Sequence, residues 1–211
     1  KIAAFGSSYR DWQHVLIIPS LLTIETGMTA IHIKFPALTL KAGPRAMARI
    51  RAQGLNAADV GTLPGAAGGP KALGIQGLDL ALFGEWLPSA PRERSLIGAS
   101  VGSWRFASAC LPDAAEGIRR LGQLYAEQNF NKGVTMAEIS QSSQRMLNDL
   151  LDGRDASILT NADYRLNIMV VKSQGRLADD HRGRLGLALG SVIADNLRGR
   201  ARLSRHFERL I

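Results

Sequence analysis

Leu96-Ile97-Gly98-Ala99-Ser100-Val101-Gly102-Ser103-Trp104-Arg105 is the stretch on which the reading of this chain turns. It runs from a short apolar strand, through Gly-x-Ser-x-Gly, into the start of a helix. Such a turn holds a serine at a sharp strand-to-helix bend and points its hydroxyl into a cleft, the form of a nucleophile elbow. Glycine is needed at the two flanking positions, Gly98 and Gly102, because backbone approaches there more closely than a side chain allows. The helix opening at Val101 directs its positive end and its first N–H groups toward an oxyanion formed at Ser100. A plainer alternative fits the same residues: a tight strand–helix turn in which the Ser100 hydroxyl only caps the helix.

A second element lies thirty residues upstream, Gly68 against Gly98. It is Pro64-Gly65-Ala66-Ala67-Gly68-Gly69-Pro70-Lys71-Ala72-Leu73, following the short run Val60 to Leu63. A Gly-rich loop entering a helix offers backbone N–H groups to an anion. Leu73, Leu78, Leu82 and Phe83 predict that this helix runs from about Lys71 to Phe83 with those four on one side. A nucleotide-binding P-loop is disfavoured: Pro70 stands where the second glycine would be and has no N–H, and Ala72 replaces the Ser/Thr that would hold magnesium. An oxyanion hole or a closely packed βα connection remains.

Gly68-Gly69-Pro70-Lys71 followed by Gly98-Ala99-Ser100-Val101-Gly102 resembles the patatin-like phospholipase family, in its bacterial branch. The likeness covers about Ala42 to Pro112 and extends more loosely to the C-terminus. It implies a three-layer α/β/α fold with a mostly parallel sheet, and a Ser-Asp dyad acting on lipid acyl esters without a metal or organic cofactor. By the resemblance Ser100 is the nucleophile, and N–H groups near Gly68, Gly69 and Val101 form the oxyanion hole. Lys71 stands for the family's basic residue, and Gly98 and Gly102 shape the elbow. The family's aspartate sits in Asp-Gly-Gly or Asp-Gly-Ala, and neither occurs here. Asp152-Gly153 follows an amphipathic stretch and is expected to close a helix. The resemblance therefore places the catalytic aspartate beyond Ile211. The pattern Arg205 to Ile211 reads as an unfinished amphipathic helix, in keeping with a chain cut short.

Two other functions fit the residues. A Ser-His-Asp esterase of α/β-hydrolase type would use Ser100 with Asp152 or Asp163 and with His181 or His206, which stand in the right chain order. A catalytically inactive, basic lipid- or partner-binding module would keep the fold without the dyad. The four histidines show no metal spacing, so no metal site is expected.

Composition bounds these readings. A chain of 211 residues suits one domain, and a 45% hydrophobic content is enough for a core. The expected division is an extension over 1–27, ahead of Met28, and one hydrolase domain over 28–211. Val15 to Ile24 is too short and too broken by Pro19 to span a bilayer, and Thr29 to Lys34 reads as the first strand. The single Cys110 excludes a disulfide framework and is expected in the core, in a reducing, cytoplasmic setting. A net charge of +8 favours anionic partners, among them a peripheral contact with an anionic membrane surface. No nucleic-acid signature stands out.

Asp113 with Glu116, and Thr135 with Glu138, have capping-box spacing and predict helices to about Asn129 and Leu151. Leu166 to Val171 predicts a buried strand. Leu185 to Ala194 predicts a buried helix with basic flanks, favoured over a membrane-surface helix. Arg105 is expected as a salt-bridge partner, and Trp104 as a packing residue.

Overall fold

The computed structural model describes residues 14–26, 29–129, 133–178 and 182–210. The chain divides into two compact units, Lys1–Asp59 and Val60–Ile211.

The first unit is a hairpin and a helix. Strands β1 (His14–Thr26) and β2 (Thr29–Ala42) pair antiparallel from His14↔Ala42 to Thr26↔Thr29, with an irregularity at Ile18/Pro19. The segment predicted as a first strand is thus a strand, but it belongs to a separate two-stranded sheet. Helix α1 (Pro44–Gln53) starts with proline at its first position, where a missing N–H costs nothing. It buries Met47, and Arg49 pairs with Asp59 at 2.6 Å.

The second unit is α/β with an open, mostly parallel sheet. Its strands are β3 (Thr62–Gly65), β4 (Arg94–Ala99), β5 (Tyr164–Ser173) and β6 (Phe207–Leu210), in that spatial order. β3, β4 and β5 run parallel; β6 returns antiparallel along the far half of β5. Between β3 and β4 lie a 3₁₀ turn (Gly69–Ile75), helix α2 (Gln76–Ala81) and a π turn (Leu82–Trp86). Between β4 and β5 lie α3 (Val101–Ala109), α4 (Ala114–Glu127), α5 (Met136–Leu151) and α6 (Asp155–Leu159). Helix α7 (Arg182–Arg198) and a 3₁₀ turn (Arg200–Arg205) lead to β6.

Local signals explain the helix starts. Asp113 accepts the N–H of Glu116 at 2.8 Å and opens α4. Thr135 and Glu138 form a complete capping box at the head of α5. Asp152 ends α5 in the left-handed region, φ 50°, as expected for a helix-closing Asp-Gly. The core gathers Phe83, Leu87, Leu96, Phe106, Cys110, Ile118 and Tyr164. Phe83 meets Phe106 and Tyr164 edge-on, with ring centroids 5.9 and 5.7 Å apart. Cys110 is fully buried, and its thiol is pushed up to about 12 by desolvation.

Four expectations are corrected. The continuous helix predicted from Lys71 to Phe83 is broken into 3₁₀, α and π turns. Phe83 is buried while Leu73 and Leu78 are exposed; at 3.6 residues per turn successive members of this trio point about 140° apart, so even a regular helix could not bury all three on one side. The strand predicted as buried over Leu166 to Val171 exists, but from Ile168 onward it is exposed. The helix predicted as buried over Leu185 to Ala194 also exists, yet of that stretch only Ala188 is fully buried. The helix-like ending is instead a 3₁₀ turn and the strand β6, recruited by the edge of β5 at Val170 to Ser173.

Candidate active site

The parallel register sets two strand ends side by side. Gly65, last in β3, lies opposite Gly98 in β4. The chain leaves β4 at Ala99 and enters α3 at Val101, so Ser100 alone makes the bend. It does so at φ 52°, ψ −125°, a conformation that costs a non-glycine residue roughly 1–3 kcal/mol. Ser100 is exposed, and its side chain caps no backbone N–H of α3. The turn thus holds its serine in strain without using the hydroxyl, which removes the helix-capping account of Ser100.

Three glycines make the bend possible. A Cβ on Gly98 would lie 2.6 Å from the backbone N and Cα of Ser103. A Cβ on Gly102 would lie 2.5 Å from the carbonyl carbon of Gly65 and overlap its oxygen. A Cβ on Gly65 would meet the Phe106 ring at 2.6 Å. The head of α3 therefore rests directly on the end of β3, and the Gly-rich loop leaves β3 beside the elbow.

In that loop Gly69 has φ 54°, and the first bond of the 3₁₀ turn runs from the Lys71 N–H to the Gly68 carbonyl at 3.4 Å. The N–H groups of Gly68 and Gly69 lie ahead of it. Val101, buried, is the first residue of α3, where N–H groups have no partner within the helix. Lys71 is exposed. The register and the glycine contacts bring the β3 end and the elbow together, and the loop carrying Gly68, Gly69 and Lys71 begins there.

Two charged residues support this arrangement. Asp79, on α2, is buried and takes a bidentate pair of hydrogen bonds from Arg105 on α3, 2.6 Å to Nε and 2.5 Å to Nη2. Arg105 thus is the salt-bridge residue expected of it. Asp79 is missed by sequence reading because it follows Leu78 in an apolar-looking helix, yet it takes the inward position. Gln76 donates to the Ile118 carbonyl at 2.9 Å, its side chain lying over Gly122 of α4. The segment after the loop is thereby fastened to both α3 and α4. A cavity of about 20 Å³, room for one water, separates them, lined by Leu73, Val101, Ser108, Leu121 and Tyr125 among others. At the opposite end of the strands Arg94 is fully buried and donates to the carbonyls of Ala90, Val60 and Arg92.

Among the described residues the histidine alternative is not assembled. Ala99 is level with Met169 on β5, while His206 is level with Gln174, whose N–H it accepts. Five residues separate those levels, about 16 Å along the strand. His206 pairs instead with Asp195 of α7 at 2.9 Å, which with Arg202 and Arg205 holds that carboxyl below its usual range. Asp163 lies before β5, at the end of the sheet away from Ser100, its carbonyl bonded to the Arg94 N–H. Asp152 is a helix cap whose carboxylate faces Arg120 at 3.5 Å. His181 lies outside the described residues. Among the described residues no group of three or more His, Cys, Asp or Glu is arranged to hold a metal ion. No helix among them is long and apolar enough to cross a membrane.

Comparison of the chain with protein-family models, with curated proteins and with solved structures found no match.

Proposed function

We propose that this chain carries the nucleophile and oxyanion hole of a serine-dependent acyl-ester hydrolase, with a lipid acyl ester as the substrate class. One observation carries the reading: Ser100 is held at φ 52° between a parallel strand and a helix, with its hydroxyl unused by the fold. Strain of that kind is retained where a function needs it. The glycine contacts that seat the head of α3 on Gly65 and Ala66, where the loop leading to Gly68 and Gly69 begins, support it further. The lipid acyl class rests on the resemblance to patatin-like phospholipases, and so does a three-layer arrangement of the whole fold.

In this reading the Ser100 oxygen attacks the ester carbonyl carbon, and its proton passes to a base. The carbonyl oxygen becomes an oxyanion that accepts hydrogen bonds from N–H groups of Gly68, Gly69 and Val101. The positive end of α3 favours that charge. The alcohol leaves, an acyl-serine remains, and water releases the acid. The resemblance assigns the base to an aspartate in Asp-Gly-Gly or Asp-Gly-Ala, a motif that residues 1–211 do not contain. Asp79 is committed to Arg105, and Asp152 and Asp163 lie elsewhere, as described above.

A fluorescent fluorophosphonate tests the reading on this chain and on the longest form its gene allows. Labelling of either form should vanish in Ser100→Ala while the circular dichroism stays unchanged. Labelling that survives the substitution, or that neither form shows, would remove Ser100 from any mechanism and favour the inactive basic module.

A further inference from the structure

Helix α7 turns an unusual face outward. At 3.6 residues per turn, Leu185, Ala188 and Val192 share its inner side and are half-buried or buried. Leu189, Ile193 and Leu197, at i, i+4 and i+8, form an outer stripe, and Leu187 is exposed on another side of the helix. Ile193 is 62% exposed, Leu187 75% and Leu197 82%. Apolar residues scattered singly on a surface need no account, but a contiguous helical stripe does.

The surroundings of the stripe are basic. Residues 182–210 contain seven arginines against Asp195 and Glu208. Both carboxylates are engaged within the fold, Asp195 with His206 and Arg202, and Glu208 with Lys172. Arg198, Arg200, Arg205 and Arg209 are exposed. Between β5, the 3₁₀ turn that follows α7, and β6 opens a cavity of about 650 Å³ whose lining pairs Val171, Leu203 and Phe207 with Arg200, Ser204 and Arg209. An apolar stripe that runs at its C-terminal end into the arginine-rich segment starting at Arg198 suits the plane between acyl chains and anionic headgroups. A second copy of the chain would bring one arginine-rich surface against another, which repels.

We propose that α7 and the segment Arg200 to Leu210 dock on an anionic phospholipid bilayer. Leu189, Ile193 and Leu197 enter the acyl boundary, and Arg198, Arg200 and Arg209 meet lipid phosphates. The docking does not depend on Ser100, so loss of fluorophosphonate labelling and loss of membrane binding are separate outcomes.

Co-sedimentation of the full chain with vesicles tests this. Binding to phosphatidylglycerol-containing vesicles should exceed binding to pure phosphatidylcholine by about tenfold or more, and fall sharply near 1 M salt, where the screening length is about 3 Å. Arg200→Gln with Arg209→Gln should weaken it about fivefold per arginine. Ile193→Gln with Leu197→Gln should weaken it about tenfold or more at low salt. Two controls should bind as wild type: Leu159→Gln, an 81% exposed leucine on α6, and Ser100→Ala. Equal binding to neutral vesicles, or to none, overturns the proposal. So does full binding by the Ile193/Leu197 variant. An equal loss on Arg119→Gln with Arg145→Gln, on α4 and α5, would reduce the effect to net charge and overturn it too.

Discussion

β4 and β5 are neighbours in one sheet and carry similar apolar runs, yet they end in opposite environments. β4 runs inward from Arg94 to Gly98 with every second residue buried, and its last residues touch Gly65, Gly102 and Ser103 at van der Waals limits. β5 starts buried at Tyr164 and is exposed from Ile168 to Ser173. The helices after each strand differ in the same sense. α3 buries seven of its nine residues, whereas α7 exposes Leu187, Leu189, Ile193 and Leu197. Hydropathy alone does not separate these pairs; what separates them is whether a neighbouring element reaches them. Around the elbow, the absence of side chains at three glycines lets strand and helix close together. At the described glycines of α7 no such contact exists: a Cβ at Gly186 or Gly190 would meet nothing within 4 Å.

The largest expected break in this contrast comes from alanine at those glycines. Gly102→Ala must displace the Gly65 carbonyl and should cost about 3 kcal/mol, with loss of any Ser100 labelling. Gly190→Ala, in the open helix, should instead stabilise by about 0.5–1 kcal/mol. Urea unfolding of the two variants measures both, and equal shifts would erase the distinction. The Asp79–Arg105 pair comes next. Asp79→Ala leaves a mostly buried guanidinium unpaired and should cost about 3 kcal/mol. Asp79→Leu combined with Arg105→Met should recover much of it, because two apolar residues avoid the desolvation of two charges. Recovery of stability without recovery of labelling would assign the pair to positioning the loop against the elbow.

Smaller effects follow from titration. The Cys110 thiol is raised from 9.0 to about 12 by burial, so the folded state favours its neutral form. Its contribution is complete below the unfolded value and is lost as pH rises through the folded one. Native protein should resist iodoacetamide at mildly alkaline pH while urea-unfolded protein reacts. Glu138 is held below its ordinary range by the Thr135 backbone N–H first and the Thr135 hydroxyl second. That contribution is present above the unfolded carboxylate value and is lost as pH falls through the depressed one. Glu138→Gln should blunt acid fraying of α5 seen by hydrogen exchange.

The elbow was legible because its signal is local. A strand, two glycines and a serine within a few residues dictate the bend, and caps such as Asp113 and Thr135 act on N–H groups three positions away. The same holds for Asp152, whose closing of a helix needs only the residues before it. The partner of Arg105 was not legible, since Asp79 lies 26 residues earlier and only the packing of α2 in the fold brings it to the guanidinium. The exposed half of β5 and the outer stripe of α7 were misread for the same reason. An apolar pattern states what a segment would gain from burial, not whether another element arrives to bury it.

The sequence by itself therefore determined the α/β alternation, the helix starts and stops, and the place where a serine is forced into strain. Those outcomes depend on backbone sterics and hydrogen bonds within one turn of the chain. Only the tertiary structure decided that β3 ends against the elbow, that His206 is tied to Asp195 about five residues beyond it, and that α7 keeps Leu187, Leu189 and Leu197 outside. Those outcomes depend on contacts between segments far apart in the chain, whose geometry no local pattern encodes.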